Sequence, residues 1–239
     1  MMSRHLAEEK SDASIMAIEN SIAGSIIPNY ALIDEYNLSI VGECYLKISH
    51  NLLSLENQSI DDIKEVHSHP MALLQCRDFF KKYPNIKLVE NTDTALSAKE
   101  IYVNNINGRA AIASILASDL YSLDVLAENI QTIKNNETRF VVLERSTINS
   151  KSVFNKASIK FELDHKRGSL ATILNVLSDC KMNLTKIQSM PKIETPWRYS
   201  FFVDITFEFV DDYLKAKSII EIMAKDFKVL GEYKNSKND

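Results

Sequence analysis

The stretch from Ile63 to Val89, IKEVHSHPMALLQCRDFFKKYPNIKLV, decides the fold class. It opens on a strand signal, Ile63 to Val66, that runs into Ser68-His69-Pro70. Pro70 opens a helix, Met71 to Tyr83, because a proline at the first helical position lacks only an N–H that has no intrahelical partner. Pro84 stops that helix and Ile86 to Val89 forms the next strand. Strand, helix, strand in so short a run is the unit of an α/β fold.

The same alternation continues on both sides. Upstream, Ser14 to Ile18 is a short apolar strand. Ser25 to Tyr36 reads as a helix with Ile26, Ile27, Tyr30 and Ile33 on one face and Pro28 in its first turn. Leu38 to Val41 and Cys44 to Ile48 read as two strands around a turn at Gly42. Downstream, Asn91-Thr92 caps a helix that runs to Ile101. Ala110 to Ser114 and Asp124 to Ala127 are strand signals flanking a helix from Ile115 to Tyr121. The repetition predicts a parallel-rich sheet.

The last third changes character. Ala157 to Leu163 alternates as a strand, and Gly168 begins a helix with Leu170, Ile173, Leu174 and Leu177 on one face. Asn183 to Ser189 and Tyr199 to Phe207 are strands, Tyr213 to Ala224 is a second helix, and Phe227 to Leu230 closes the pattern. Two βαβ halves of this length make a ferredoxin-like module. A linker rich in Ser, Asn and Lys, Arg145 to Lys156, separates it from the first part.

With 239 residues the chain has room for one to two domains with a real core. A net charge of −4, and no aromatic residues interleaved with basic runs, exclude a nucleic-acid footprint. Cys44, Cys76 and Cys180 are odd in number and far apart, which argues against a disulfide framework or a zinc site and for buried thiols in a reducing cytosol. No apolar run approaches the ~18 residues of a membrane span, and the polar stretch from Met1 to Asp12 is not a signal peptide, so a cytoplasmic protein is expected.

Four junctions carry polar chemistry. Glu19-Asn20-Ser21 lies between a strand and a helix, where Asn20 and Ser21 either cap the helix or help bind an anion. Ser68-His69-Pro70 occupies the same position in the next unit, and His69 is either a proton donor or anion partner, or a structural hydrogen-bonder. His67 is taken as structural. Thr92 or Thr94 offers a hydroxyl or another cap. Thr138-Arg139-Phe140 puts a hydroxyl, a guanidinium fork and a ring at a strand entrance. Arg139 is the best candidate to bind a carboxylate, the alternative being a surface salt bridge with Glu128 or Glu137.

These motifs, in this order, resemble prephenate dehydratases. Glu19-Asn20-Ser21 with Gly24 is similar to the family's E-N-S-x-x-G, and Ser68-His69-Pro70 with Ala72-Leu73 and Gln75-Cys76 to its S-H-P-x-A-L-x-Q-C. Thr94-Ala95 with Ala98 resembles T-A-x-x-A, and Asn136 to Phe140 resembles N-x-T-R-F. The resemblance implies a partial catalytic domain over residues 1–147, two-lobed like periplasmic binding proteins, followed by an ACT regulatory domain over 156–235. It implies decarboxylating dehydration of prephenate to phenylpyruvate with no metal or organic cofactor, arogenate being a variant substrate. Thr138, Arg139 and Phe140 take the catalytic positions, and Asn20, Ser21, Ser68, His69 and Thr94 the substrate-binding ones. The ACT likeness implies phenylalanine as effector near Gly168, Leu170, Asn183, Leu184, Gln188 and Ser189, its ring against Leu184 or Phe202, in a homodimer or homotetramer.

Three departures accompany the resemblance. The family's first strand and Gly-rich loop do not precede Glu19, so the chain reads as a truncated form whose alternative role is a non-catalytic aromatic amino-acid-binding regulator. Met71 stands where many members have Gln. The family's E-S-R-P appears as Gln188-Ser189-Met190-Pro191, with Met190 as a gap-filling apolar residue.

Overall fold

A computed structural model describes residues 2–145, 153–192, 195 and 197–237. In chain order the elements are α1 (Met2–Ala7), β1 (Ala13–Asn20), β2 (Gly24–Ser25), α2 (Ile27–Glu35), β3 (Leu38–Lys47), β4 (Asn51–Ser54), β5 (Glu65–Ser68), α3 (Pro70–Phe80), β6 (Lys87–Glu90), α4 (Thr94–Asn104), β7 (Arg109–Ala113), α5 (Ile115–Tyr121) and β8 (Asp124–Ala127). They continue with β9 (Glu137–Arg145), β10 (Lys156–Glu162), α6 (Ser169–Asp179), β11 (Asn183–Pro191), β12 (Tyr199–Thr206), α7 (Val210–Met223) and β13 (Lys225–Tyr233). The chain is α/β with mixed sheets and divides into two compact units.

One unit comprises Ser21–Ala23 and Lys47–Glu137. Its sheet runs β6-β5-β7-β4-β8, with β5 parallel to β6 and β7, and β4 antiparallel to β7 and β8. Period-two alternation sends Leu52, Ala110 and Ile112 to the α3 side and Leu53, Ala111 and Ala113 to the α4 and α5 side, so both faces are buried. The expected parallel-rich sheet is therefore mixed, because β4, which the sequence reading passed over, enters it antiparallel.

The other unit gathers Met1–Asn20, Gly24–Leu46 and Thr138–Asp239. It holds two sheets, β2-β1-β9-β3 and β11-β12-β10-β13. The second has the βαββαβ element order and the strand order of a ferredoxin-like module, with α6 and α7 packed on the apolar face made by Ala157, Ile159, Phe161, Val203 and Ile205. Its other face packs on the first sheet, where Phe202, Leu230 and Tyr233 join Met16, Ile18, Ile40, Val141 and the α2 residues Tyr30 and Ile33. Met190 packs against this same cluster, as its gap-filling reading expected.

Several expectations need correction. Gly42 makes no turn, and β3 runs unbroken from Leu38 to Lys47. Cys44 is exposed, while Cys76 and Cys180 are buried as free thiols. Phe202 is 2% exposed inside the core and cannot offer its ring to an effector. Part of the expected linker, 146–152, lies outside the described residues.

Gly231 of β13 lies close against the Ile40 backbone of β3. A Cβ on Gly231 would stand 2.1 Å from the Ile40 carbonyl oxygen. Backbone cannot yield as a flexible side chain does, so Gly231→Ala is expected to lose stability at the upper end of the ~1–3 kcal/mol seen for overpacking, or more. Urea unfolding measures it, and a loss under about 0.5 kcal/mol refutes the close approach.

Candidate active site

The decisive local geometry is a one-residue bulge in β1. Ala17 faces Phe140, but Glu19 faces Arg139 and Asn20 faces Thr138, so Ile18 is the extra residue. Without it Glu19 would stand opposite Thr138. With it an amide meets the hydroxyl, and Asn20 Nδ2 donates to Thr138 Oγ1 at 3.0 Å. Thr138 is 9% exposed, and among the described residues no acceptor takes its hydroxyl proton. Half-buried Phe140 shares the strand face of Thr138 by parity.

Arg139 points the other way and does not serve as expected. It is 5% exposed and its fork is filled by protein groups. Nε donates to Glu43 at 2.7 Å, one terminal nitrogen to Asp204, and the other to the Tyr233 hydroxyl at 2.9 Å. Lys156 joins Glu43 at 2.9 Å, and Ser158 bonds Asp204 and Tyr233. Two cations and two carboxylates balance inside a closed lattice. Burial opposes the charge of Arg139, but Asp204, Tyr233 and Glu43 outweigh it and raise its pKa. Burial and the Arg139 charge lower the pKa of Lys156, although Glu43 raises it. The expected carboxylate-binding role of Arg139 is thus replaced by an internal one. Neither Glu43 nor Asp204 was visible as its partner, being 96 and 65 residues away in sequence.

In the unit built on Lys47–Glu137 the remaining candidates separate. Ser68 is fully buried and donates to the Ile112 carbonyl at 2.7 Å, so it staples β5 to β7 and is not available to a ligand. His69 caps α3, its Nδ1 accepting from the Met71 N–H at 3.2 Å, which leaves Nε2–H on an exposed ring. Ser21 Oγ accepts from the Glu137 N–H at 2.9 Å. Asp93, not Asn91 or Thr92, caps α4 by accepting from Leu96 N–H, and Thr94 is the first helical residue, half-buried. His67 bonds Glu65 at 3.0 Å, a structural role as expected.

A buried network went unread in the sequence. Gln75 Oε1 receives both Asn136 Nδ2 and His50 Nε2 at 2.9 Å. Gln75 and Asn136 both lie in the motifs quoted above, whereas nothing in the sequence marked His50. Burial lowers the His50 pKa, with Gln75 working against it. The unfolded chain, titrating near 6.5, therefore takes up this proton first as pH falls. Stability carried by neutral His50 is full above about pH 6.5 and is lost as pH drops towards the lowered native value. The thermal midpoint should fall between about pH 7 and 5, and His50→Gln should flatten that slope in melts across pH.

In the ferredoxin-like module a cavity of about 120 Å³ is lined by Leu163, His165, Ser169, Leu170, Trp197 and Phe201, among others. Gly168, at φ +86°, caps the adjoining helix. Asn183, Leu184, Gln188 and Ser189 do not line this cavity, and the Gln188 amide bonds the Ser189 carbonyl. Among the described residues no group of three or more His, Cys, Asp or Glu is gathered to hold a metal, and no helix is long and apolar enough to cross a membrane.

Residues 1–148 match the family model for prephenate dehydratase. The chain belongs to the prephenate dehydratase family. It is 33% identical over 230 residues to a bifunctional chorismate mutase/prephenate dehydratase of Buchnera aphidicola, covering 95% of this chain and 60% of that protein. It is 38% identical over 234 residues to arogenate dehydratase/prephenate dehydratase 2 of Arabidopsis thaliana, covering 93% and 61%. The chain thus spans about 60% of the length of these curated relatives. Among solved structures, a prephenate dehydratase from Arthrobacter aurescens in complex with L-Phe superposes with a TM-score of 0.87 at 25% identity, covering 98% of this chain and 78% of that one.

Proposed function

We propose that this chain carries out the decarboxylating dehydration of prephenate to phenylpyruvate. The observation that carries the reading is the Thr138 hydroxyl, which accepts from Asn20 and keeps its own proton to donate. In the reaction the ring C–CO₂⁻ bond breaks, its electrons complete the aromatic ring, and the ring C–O bond breaks. One proton taken up by the departing hydroxide gives water, so the products are phenylpyruvate, carbon dioxide and water. Aromatisation drives the step, and the protein's share is to hold the substrate and meet the charge that grows on the leaving oxygen. A neutral threonine is a poor acid, so Thr138 acts through a hydrogen bond that strengthens towards the transition state. The Asn20 amide on its lone pair fixes the hydroxyl's direction. Phe140 supplies apolar wall on the same strand face, and Arg139 holds its strand.

Family membership supports the two-lobed, periplasmic-binding-protein-like class for the first portion, which contains a sheet in each unit. The βαββαβ order supports an ACT domain over 156–235, with the family match ending at 148 against the expected boundary of 147. L-phenylalanine, bound in the Arthrobacter relative, is the proposed effector, held by Leu170 and the backbone after Gly168 at the cavity edge. β11 and β13, the outer strands of their sheet among the described residues, suit pairing into a homodimer or homotetramer. The cytoplasm is the proposed compartment.

Incubation with prephenate and with arogenate tests the reading. Phenylpyruvate from the first supports it, and phenylalanine from the second alone moves the assignment to arogenate dehydratase. No product from either leaves the amino-acid-binding regulator. For that role L-phenylalanine at ~100 Kd should add roughly 2.7 kcal/mol, read as a rise in thermal midpoint, and no shift refutes the effector.

A further inference from the structure

The Asn20–Thr138 pair is braced from behind, on both strands, by one sheet. Asn20 faces Thr138 and Glu19 faces Arg139 across the β1–β9 ladder. Neighbouring strand residues point to opposite faces, so behind the amide and hydroxyl stand a carboxylate and a guanidinium. Both reach the C-terminal sheet. Glu19 pairs with Lys186 of β11 at 2.6 Å, and the Lys186 side chain is only 7% exposed. Lys186 also donates to Ser25 Oγ at 2.8 Å, and Ser25 is the residue opposite Glu19 on β2. Its ammonium lies 5.8 Å from the centre of the Tyr30 ring. Arg139 is gripped by Asp204 of β12. In the sheet itself Lys186 lies directly opposite Asp204.

The register therefore closes a loop: Asn20–Thr138 in front, Glu19–Arg139 behind, and Lys186–Asp204 beyond. We infer that Lys186, through Glu19, and Asp204, through Arg139, are positioning residues that set the geometry of the Asn20–Thr138 hydrogen bond. The inference rests on the reading of Thr138 as hydrogen-bond donor to the substrate, and it names what controls that donor. Lys186 lies two residues before Gln188, so a ligand that shifts β11 against β12 moves Glu19 against Arg139 and changes the hydroxyl's aim.

Lys186→Met keeps most of the stem and removes the charge, and Lys186→Arg restores it. Backbone amide exchange is read on peptides containing Asn20 and Thr138, and on α6 and α7. In Lys186→Met the first two segments should exchange about tenfold faster while the helices keep wild-type rates, and Lys186→Arg should return them to within about twofold. Unchanged exchange at Asn20 and Thr138 overturns the inference. So does equal acceleration everywhere, which would make Lys186 a contributor to global stability only. In the prephenate assay Lys186→Met should lower kcat several-fold with KM within about twofold. If the wild-type chain gives no turnover, the reaction assignment fails while the exchange result still decides the positioning role.

Discussion

Replacing Thr138 by valine should lower prephenate turnover by about 10²–10³-fold, the usual cost of removing one donor from a developing oxyanion. Valine keeps the β-branched shape that suits β9, so the ladder with β1 should hold. The loss should fall on kcat, because the hydrogen bond strengthens only as charge leaves the ring. Thr138→Ser keeps the hydroxyl and should recover most of the rate. Asn20→Ala removes the amide that fixes the hydroxyl and should fall between the two. A Thr138→Val enzyme retaining more than about a tenth of the wild-type kcat would remove Thr138 from the mechanism.

Glu43→Gln should cost about 3–5 kcal/mol of folding stability, the penalty for leaving a buried charge without its partner. The Glu43 side chain is 0% exposed and binds Arg139 and Lys156 at once. Gln matches its shape but leaves two cations facing only Asp204. Arg139 cannot give up a proton, so Lys156, whose pKa is already lowered by burial and by Arg139, is the group that discharges. An unfolded lysine stays charged up to about pH 10.4. A native lysine with a lowered pKa therefore contributes stability that is present above that value and lost as pH falls through the window below it. The Glu43→Gln penalty should accordingly shrink as pH rises from about 7 to 10. Denaturant melts at both ends of that range measure it, and a penalty that grows with pH would show that Lys156 stays charged.

What the sequence made legible was local. The strand–helix–strand run around Pro70 formed, with β5 two residues later than expected and α3 ending at Phe80, short of Pro84, while Ile115–Tyr121 and Asp124–Ala127 took the expected structures. Thr138 and Asn20 were singled out from separate motifs, and their contact is tertiary, made possible by a bulge at Ile18 that no periodicity announces. β10 shows the limit best. Lys156, Ser158, Lys160 and Glu162 alternate with Ala157, Ile159 and Phe161, which normally reads as one wet face and one dry one. Every residue of β10 is buried, because Glu43 answers Lys156, Asp34 and Asp226 answer Lys160, and Lys192 answers Glu162. Opposite charges supplied by distant parts of the chain turn a polar face into an interior one. Arg139 was misread for the same reason: a guanidinium on a strand looks ready for a ligand until the carboxylates that fill it are found.

The way the two units share the chain also sets an order of events during synthesis. The unit around Lys47–Glu137 is nearly continuous and can close while the ribosome is still at work. The other cannot. Glu43 waits 113 residues for Lys156, Ser25 waits 161 for Lys186, and Asp34 waits 194 for Lys228. Until β9, β10 and β11 emerge, β1 and β3 carry carboxylates with no cations, and until β13 follows their apolar face lacks Leu230 and Tyr233. Such long loops are slow to close. The nascent N-terminal strands are therefore the segment most dependent on a chaperone, and the proposed reaction site is among the last parts of the molecule to form.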